Sequence, residues 1–84
     1  MTRIPLRHFS SPIPLGSFVT GRIRGTTETR QGVLIGWSVL GRTAYVEGLY
    51  MTYKFSSELA QVPDERVFGV ALDHMLEVRA RLGL

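Results

Sequence analysis

Residues 31–62 read QGVLIGWSVLGRTAYVEGLYMTYKFSSELAQV, and this stretch decides the fold. Short aliphatic, aromatic and β-branched runs are separated by glycines, and the stretch holds the chain's only tryptophan and all three of its tyrosines. This pattern is typical of a small, strongly bent antiparallel sheet. We therefore predict a mainly β, α+β protein built on a five-stranded SH3-like barrel, followed by one C-terminal amphipathic α-helix.

The strands can be placed from the glycines, the turn residues and the alternation of side chains. The barrel domain is predicted over residues 17–62, with strands at 17–25, 33–39, 44–47, 49–55 and 61–62. Gly36 lies inside the second strand and indicates a bulge or a sharp bend. Residues 56–60 are predicted to close as a single helical turn before the last strand.

The helical section is predicted over residues 63–84, packed on the barrel or on a partner, with the helix running from about Asp64 to Leu82. One broad arc of this helix is apolar and consists of Val67, Phe68, Ala71, Leu72, Met75, Val78 and Leu82. Gly69 indicates a close approach to the sheet or to another helix, and Gly83 indicates the C-terminal stop. Val70 and Leu76 are apolar in excess of this arc, which favours a second contact surface such as that of a dimer.

The N-terminal section, residues 1–16, is predicted to be an extended, partly flexible arm, because its prolines disfavour both helix and central strand. The chain has no cysteine, which excludes a disulfide framework and a thiolate metal site. No run approaches the roughly 20 apolar residues of a membrane span, and no signal-peptide pattern follows the basic N-terminus. We expect a cytoplasmic protein without membrane contact.

The candidate binding residues come from the charge pattern. The formal net charge is +3, and Lys54 is the only lysine among ten basic residues. Arginine favours planar, bidentate contacts with phosphate or carboxylate. The predicted binding surface consists of Arg22, Arg24, Trp37, Arg42, Tyr50 and Lys54, with Arg22 and Arg24 side by side on one strand face. Arginines interleaved with aromatic residues suit nucleic-acid bases and acidic protein surfaces alike, and an ordinary solvated face is the third alternative.

No catalytic, metal or cofactor site is predicted from the residue pattern. His8 and His74 stand apart from any cluster with metal-ligand spacing. Asp73 and His74 are adjacent, which on a helix turns their side chains about 100° apart. The glycines lack the strand-then-helix context of a phosphate loop.

Residues 17–62 resemble the plasmid-encoded type II dihydrofolate reductases, which are small SH3-like barrels. The matching residues are Arg22-Ile23-Arg24, Gln31-Gly32, Leu34-Ile35-Gly36-Trp37, Tyr45-Val46-Glu47 and Leu59. The resemblance implies a homotetramer around one pore, where a Val-Gln-Ile-Tyr segment and a first-strand lysine bind NADPH and dihydrofolate. Counting back from Leu59, this chain has Met51-Thr52-Tyr53-Lys54 in place of that segment, and it has Gly25 in place of the lysine. The resemblance thus supports the fold more than the activity.

Three functional interpretations follow. The leading one is a non-enzymatic SH3-like binding module of a bacterial, plasmid or phage accessory protein, which binds nucleic acid or an acidic protein surface and forms a homo-oligomer, either a dimer or a tetramer. The second is an NADPH-dependent enzyme like the type II dihydrofolate reductases. The third is a small phage-type inhibitor or adaptor that acts by covering a larger protein.

Overall fold

The computed structural model describes residues 13–84, which form four β-strands, one short 3-10 helix and one α-helix. In chain order these are β1 (Phe18–Ile23), β2 (Thr29–Trp37), β3 (Thr43–Glu47), β4 (Thr52–Val62), the 3-10 helix (Asp64–Arg66) and α1 (Gly69–Leu82). The predicted mainly β, α+β class is confirmed. Of the predicted N-terminal arm, residues 1–12 lie outside the described residues.

The four strands close into an antiparallel barrel in the order β1-β2-β3-β4, with β4 returning to pair with β1. Each hairpin joins strands that are neighbours in the sequence, so the topology needs no crossover. The register between β2 and β3 shifts between Leu34 and Gly36. This irregularity is the bulge that the sequence predicts at Gly36, and it lets the sheet curl towards closure.

β4 is one continuous strand of 11 residues with two partners. Its first half pairs with β3, and its second half pairs with β1, where Val62 lies opposite Phe18. The predicted helical turn at residues 56–60 is therefore wrong, and the sheet has four strands where the sequence predicts five. An isolated helical turn would fix the backbone of several residues in return for one hydrogen bond. The extended conformation instead lets β4 form ladder hydrogen bonds with β3 and β1. The register shift between Gly21 and Ile23 marks where β4 bends from β3 to β1.

Alternating side chains build two apolar clusters. The interior cluster fills the barrel and consists of the buried residues Val19, Leu34, Ala44, Val46 and Phe55. The outer cluster lies between the barrel and the C-terminal helix and consists of Phe18, Val33, Val67, Met75 and Val78. Val33 and Leu34 are adjacent yet belong to different clusters, because successive strand residues point to opposite faces. The continuous apolar run of β2 therefore reflects burial on both sides.

The helical section is broken near its start and not continuous from Asp64 as the sequence predicts. Val67 and Phe68 have extended backbone between the two helices, and Val67 is buried while Phe68 is 72% exposed. The helix is interrupted here because Val67 packs in the outer cluster. Phe68, which the sequence predicts on the apolar arc of the helix, is exposed to solvent as a result. Gly69 begins α1 with a φ of +57°, and nothing beyond its chain neighbours lies within 4 Å of an added Cβ. The predicted close approach of Gly69 to the sheet is wrong, since this glycine instead supplies left-handed backbone.

Three polar contacts, made by two side chains, anchor α1 beside the outer cluster. Arg79 donates from Nε to Gly16 O at 2.8 Å and from Nη2 to Asp64 Oδ1 at 2.9 Å. The Nε2 atom of His74 lies 3.0 Å from Glu47 O, at the end of β3. The helix is thereby tied to the segment before β1, to the 3-10 helix and to the β3–β4 hairpin.

Candidate functional site

The β3–β4 hairpin presents one outer face of the barrel to solvent. Tyr45 in β3 lies directly opposite Lys54 in β4, and both point outward because their neighbours Ala44 and Phe55 point into the barrel. The outer-cluster contacts of α1 come from other parts of the sheet. We call the surface around Tyr45 and Lys54 the uncovered face.

The first cleft on this face, which we call the basic cleft, has a volume of about 410 Å³. It is lined by Arg24, Ser38, Val39, Leu40, Arg42, Thr43, Tyr45 and Lys54. Three of these described residues are cationic and none is Asp or Glu. The basic cleft therefore concentrates positive charge around the tyrosine ring without a carboxylate in its lining.

The second cleft, which we call the wide cleft, has a volume of about 640 Å³. It is lined by Ile23, Arg24, Glu28, Arg30, Met51, Thr52, Tyr53 and Lys54. Arg24 and Lys54 line both clefts, so these two side chains form a cationic ridge between them. Glu28 Oε2 lies 3.5 Å from Arg30 Nη2, which offsets part of the positive charge in the lining of the wide cleft.

Arg24 is held against the hairpin by two hydrogen bonds. β1 ends at Ile23, and Arg24 lies in the turn that follows. Its backbone N–H donates to Lys54 O at 2.9 Å, and its guanidinium Nη1 donates to the hydroxyl of the buried residue Thr43. Because one guanidinium offers five donors, these contacts leave others available to a ligand. Arg24 is thus positioned before anything binds.

Arg42 is positioned by the β2–β3 loop. Ser38 Oγ accepts the backbone N–H groups of Arg42 and Thr43, each at 3.2 Å. The N–H of Gly41 donates to Ser38 O at 2.8 Å, which closes a tight turn over residues 38–41. This bonding places Arg42 at the rim of the basic cleft, while its side chain remains exposed.

The other three predicted binding residues lie apart from the clefts. Arg22 Nη2 lies 3.7 Å from Glu58 Oε1, and both side chains are exposed. Because β1 ends at Ile23, the predicted shared strand face of Arg22 and Arg24 does not extend to Arg24. Trp37 is half-buried against the interior cluster. Tyr50 is 94% exposed in the loop before β4, where the sequence predicts a strand. The structure therefore brings together Arg24, Arg42 and Lys54 and separates them from these three.

Two residues of the clefts, Tyr45 and Arg30, were missed in the predicted binding surface. Tyr45 could have been found, because alternation within residues 44–47 turns it away from the interior residues Ala44 and Val46. Its position opposite Lys54 depends on the strand register, which the sequence does not display. Arg30 was assigned to a loop, but it belongs to β2, which begins at Thr29.

A third cleft, of about 510 Å³, lies at the junction of the barrel and the helical section. It is lined by Pro14, Ser17, Gln61, Pro63, Asp64, Glu65 and Arg79. Its strongest polar groups, Arg79 and Asp64, are already bonded to each other. Within residues 13–84 no group of three or more His, Cys, Asp or Glu could hold a metal ion. No helix in the same range has the length and apolar character for crossing a membrane.

The segment 51–54, which the predicted resemblance aligns with the ligand-binding segment of the type II dihydrofolate reductases, lies in the wide cleft. Met51, Thr52, Tyr53 and Lys54 all line it, at the start of β4. None of these four carries the side-chain amide of the family's segment. Comparison with protein-family models, with curated proteins and with solved structures finds no significant match to this chain.

Proposed function

We propose that this protein is a non-enzymatic SH3-like binding module whose uncovered face binds single-stranded nucleic acid, in a bacterial, plasmid or phage accessory role. The observation that carries the proposal is the basic cleft, in which Arg24, Arg42 and Lys54 surround Tyr45 and no lining residue is acidic. Nucleic-acid binding combines cations along a backbone with aromatic rings that stack on bases. Both elements are present within one cleft.

Nucleic acid is favoured over an acidic protein surface by the tyrosine. Tyr45 is half-buried, lines the basic cleft together with the three cations and lies directly opposite Lys54 in the hairpin. The Asp and Glu side chains of an acidic protein surface would form ion pairs with the cations, but they have no flat ring to stack on the tyrosine. A nucleotide uses both, since its phosphate pairs with arginine and its base has a π-face.

The SH3-like assignment is supported by the closed barrel and by the two partners of β4. The half that pairs with β3 and the half that pairs with β1 occupy the places of the predicted fourth and fifth strands. A bent strand that serves two edges of a small barrel is a common way of turning a corner.

The test is binding of a fluorescein-labelled oligothymidylate of about 12 nucleotides, followed by anisotropy at low salt, about 50 mM. We expect Arg42→Ala and Lys54→Ala each to weaken binding roughly tenfold, as expected for the loss of a charge-assisted contact. Arg81→Ala is the matched control, because Arg81 is an exposed arginine on α1. Absence of binding, or equal effects of all three variants, contradicts the proposal. Stronger competition by polyglutamate than by unlabelled oligonucleotide would favour an acidic protein partner.

A second candidate, an NADPH-dependent reductase of the type II kind, is favoured by one observation. The segment 51–54 lines a wide cleft beside Arg24 and Arg30, where a phosphorylated cofactor would find cations. This second function requires a homotetramer. It also requires that NADPH stabilise the protein, because a ligand that binds the native state raises the stability of that state by mass action. Thermal unfolding with millimolar NADPH and light scattering test both requirements. No thermal shift, or a monomer, ends this reading.

A further inference from the structure

The wide cleft differs from the basic cleft in its lining. Ile23, Met51 and Tyr53 contribute apolar surface to it, while Arg24 and Lys54 stand on the side that it shares with the basic cleft. We propose that the wide cleft is a nucleobase subsite, in which one unstacked base of a bound single strand lies while the phosphates cross the Arg24–Lys54 ridge. This inference rests on the proposed function and specifies which part of the ligand each cleft takes.

The apolar lining of the wide cleft is formed by residues that are held in place. Tyr53 is half-buried, and its ring stacks on the buried ring of Phe55 with the centroids 5.9 Å apart and the planes at 24°. Ile23 packs against the same interior cluster. Met51 is 57% exposed at the edge of the cleft, and its flexible side chain can cover a planar group. These residues form an ordered wall with one adaptable edge.

The charges favour phosphates on the ridge over phosphates within the wide cleft. Glu28 also lines the wide cleft, next to Arg30, and its carboxylate disfavours a phosphate there. The ridge of Arg24 and Lys54 carries no such acid on the side of the basic cleft. A strand whose phosphates cross the ridge can therefore turn one base towards the wide cleft. The volume of about 640 Å³ is within the range of small-ligand sites.

A single strand is the occupant that fits, because its bases can leave the stack. In a duplex the bases are paired inside, and removing one costs a few kcal/mol. The apolar lining of the wide cleft contributes little to the binding of a sugar-phosphate backbone alone, because that backbone has no flat apolar group to bury. The wide cleft thus predicts that affinity depends on the presence of the base.

The test compares an oligothymidylate of about 8 nucleotides with an abasic oligonucleotide of the same length, by anisotropy on the wild-type chain. We expect the abasic strand to bind roughly tenfold more weakly, in line with the loss of one base contact. Met51→Ala should weaken binding of the normal strand about threefold and leave binding of the abasic strand unchanged. Leu49→Ala is the matched control, since Leu49 is 54% exposed in the same loop but does not line either cleft.

Failure of this inference can be told apart from failure of the proposed function. If normal and abasic strands bind equally while Arg42→Ala still weakens both, the chain binds backbone only and the base subsite is contradicted. The same conclusion follows if Met51→Ala and Leu49→Ala behave alike. If neither strand binds at low salt, the proposed function fails and the subsite with it.

Discussion

Two faces of the same barrel differ in what covers them. The helix-covered face carries Phe18 and Val33, which are buried under Met75 and Val78 of α1. The uncovered face carries Tyr45 and Lys54, with cations from the adjoining loops around them. Both faces consist of outward-facing strand residues, and an outward-facing residue is buried where α1 packs over it.

The difference shows how a chain of 84 residues can combine stability with the proposed binding surface. A domain of this size buries a small core, and α1 adds a second apolar cluster to the barrel interior. The uncovered face is then free to expose charge and aromatic surface. Substitutions on the helix-covered face should change the free energy of unfolding, and substitutions on the uncovered face should change ligand affinity.

Met75→Ala should give the largest change in stability. Met75 is 1% exposed in the outer cluster, and truncation of such a side chain leaves a cavity that costs about 2–5 kcal/mol. Leu76→Ala is the neighbouring control, because Leu76 is 51% exposed and should cost about 0.5 kcal/mol. Urea denaturation measures both. Equal losses would show that Leu76 is also covered, as it would be in a dimer contact.

Gly32→Ala should cost about 1–3 kcal/mol through overpacking. An added Cβ at Gly32 would lie 2.6 Å from Glu47 O, a backbone atom that cannot turn aside. At Gly36 in the same strand, the nearest atom would be Tyr45 Cδ2 at 3.9 Å, so Gly36→Ala should lie within about 0.5 kcal/mol of wild type. Thermal unfolding of the pair compares the crowded and the open part of β2. A Gly32→Ala variant as stable as Gly36→Ala is incompatible with this packing of β2 against β3.

Arg79→Ala should cost about 1–2 kcal/mol, because it removes the hydrogen bonds to Gly16 O and to Asp64 Oδ1. Arg81→Ala removes an exposed arginine from the same last turn and should be close to neutral. Urea denaturation again separates them. Oligonucleotide affinity should stay the same in both variants, and a loss of affinity in Arg79→Ala alone would place the ligand near α1 and not on the uncovered face.

The sequence predicted the class of the fold because local patterns report local structure. The alternation in β1 to β3, the bulge at Gly36 and the C-terminal stop at Gly83 are each encoded within a few residues, and the structure contains all of them. The wrong predictions concern segments whose conformation depends on contacts with residues far away in the sequence. Residues 56–60 are extended because β3 and β1 pair with β4, and the helix breaks at Val67 because the outer cluster takes up that side chain.

Three of the six predicted binding residues lie at one cleft. The sequence could not show this grouping, because the three residues are far apart along the chain. Arg24, Arg42 and Lys54 come from three different segments and meet at one cleft, which charge pattern alone can suggest but not locate. Tyr45 completes the cleft through its register with Lys54. Trp37, the sole tryptophan, belongs to the predicted binding surface, but it packs against the interior cluster, as a large apolar residue usually does.

Arg42→Ala and Lys54→Ala should have the smallest effect on stability, within about 0.5 kcal/mol, because both side chains are exposed. Urea denaturation of each variant checks this expectation. A loss comparable to that of Met75→Ala would mean that the uncovered face contributes to the core, which would remove the contrast between the two faces.

The salt dependence of oligothymidylate affinity tests the central claim most directly. For a single strand, the logarithm of the binding constant falls with the logarithm of salt concentration by about 0.7 per neutralised phosphate. The double variant Arg42→Ala/Lys54→Ala should therefore have a slope about 1.4 smaller in magnitude than wild type. The double variant Arg66→Ala/Arg81→Ala, which removes the same charge from exposed helical positions, should keep the wild-type slope. Binding that does not depend on salt, or a slope reduced equally in both double variants, would contradict a nucleic-acid site on the uncovered face.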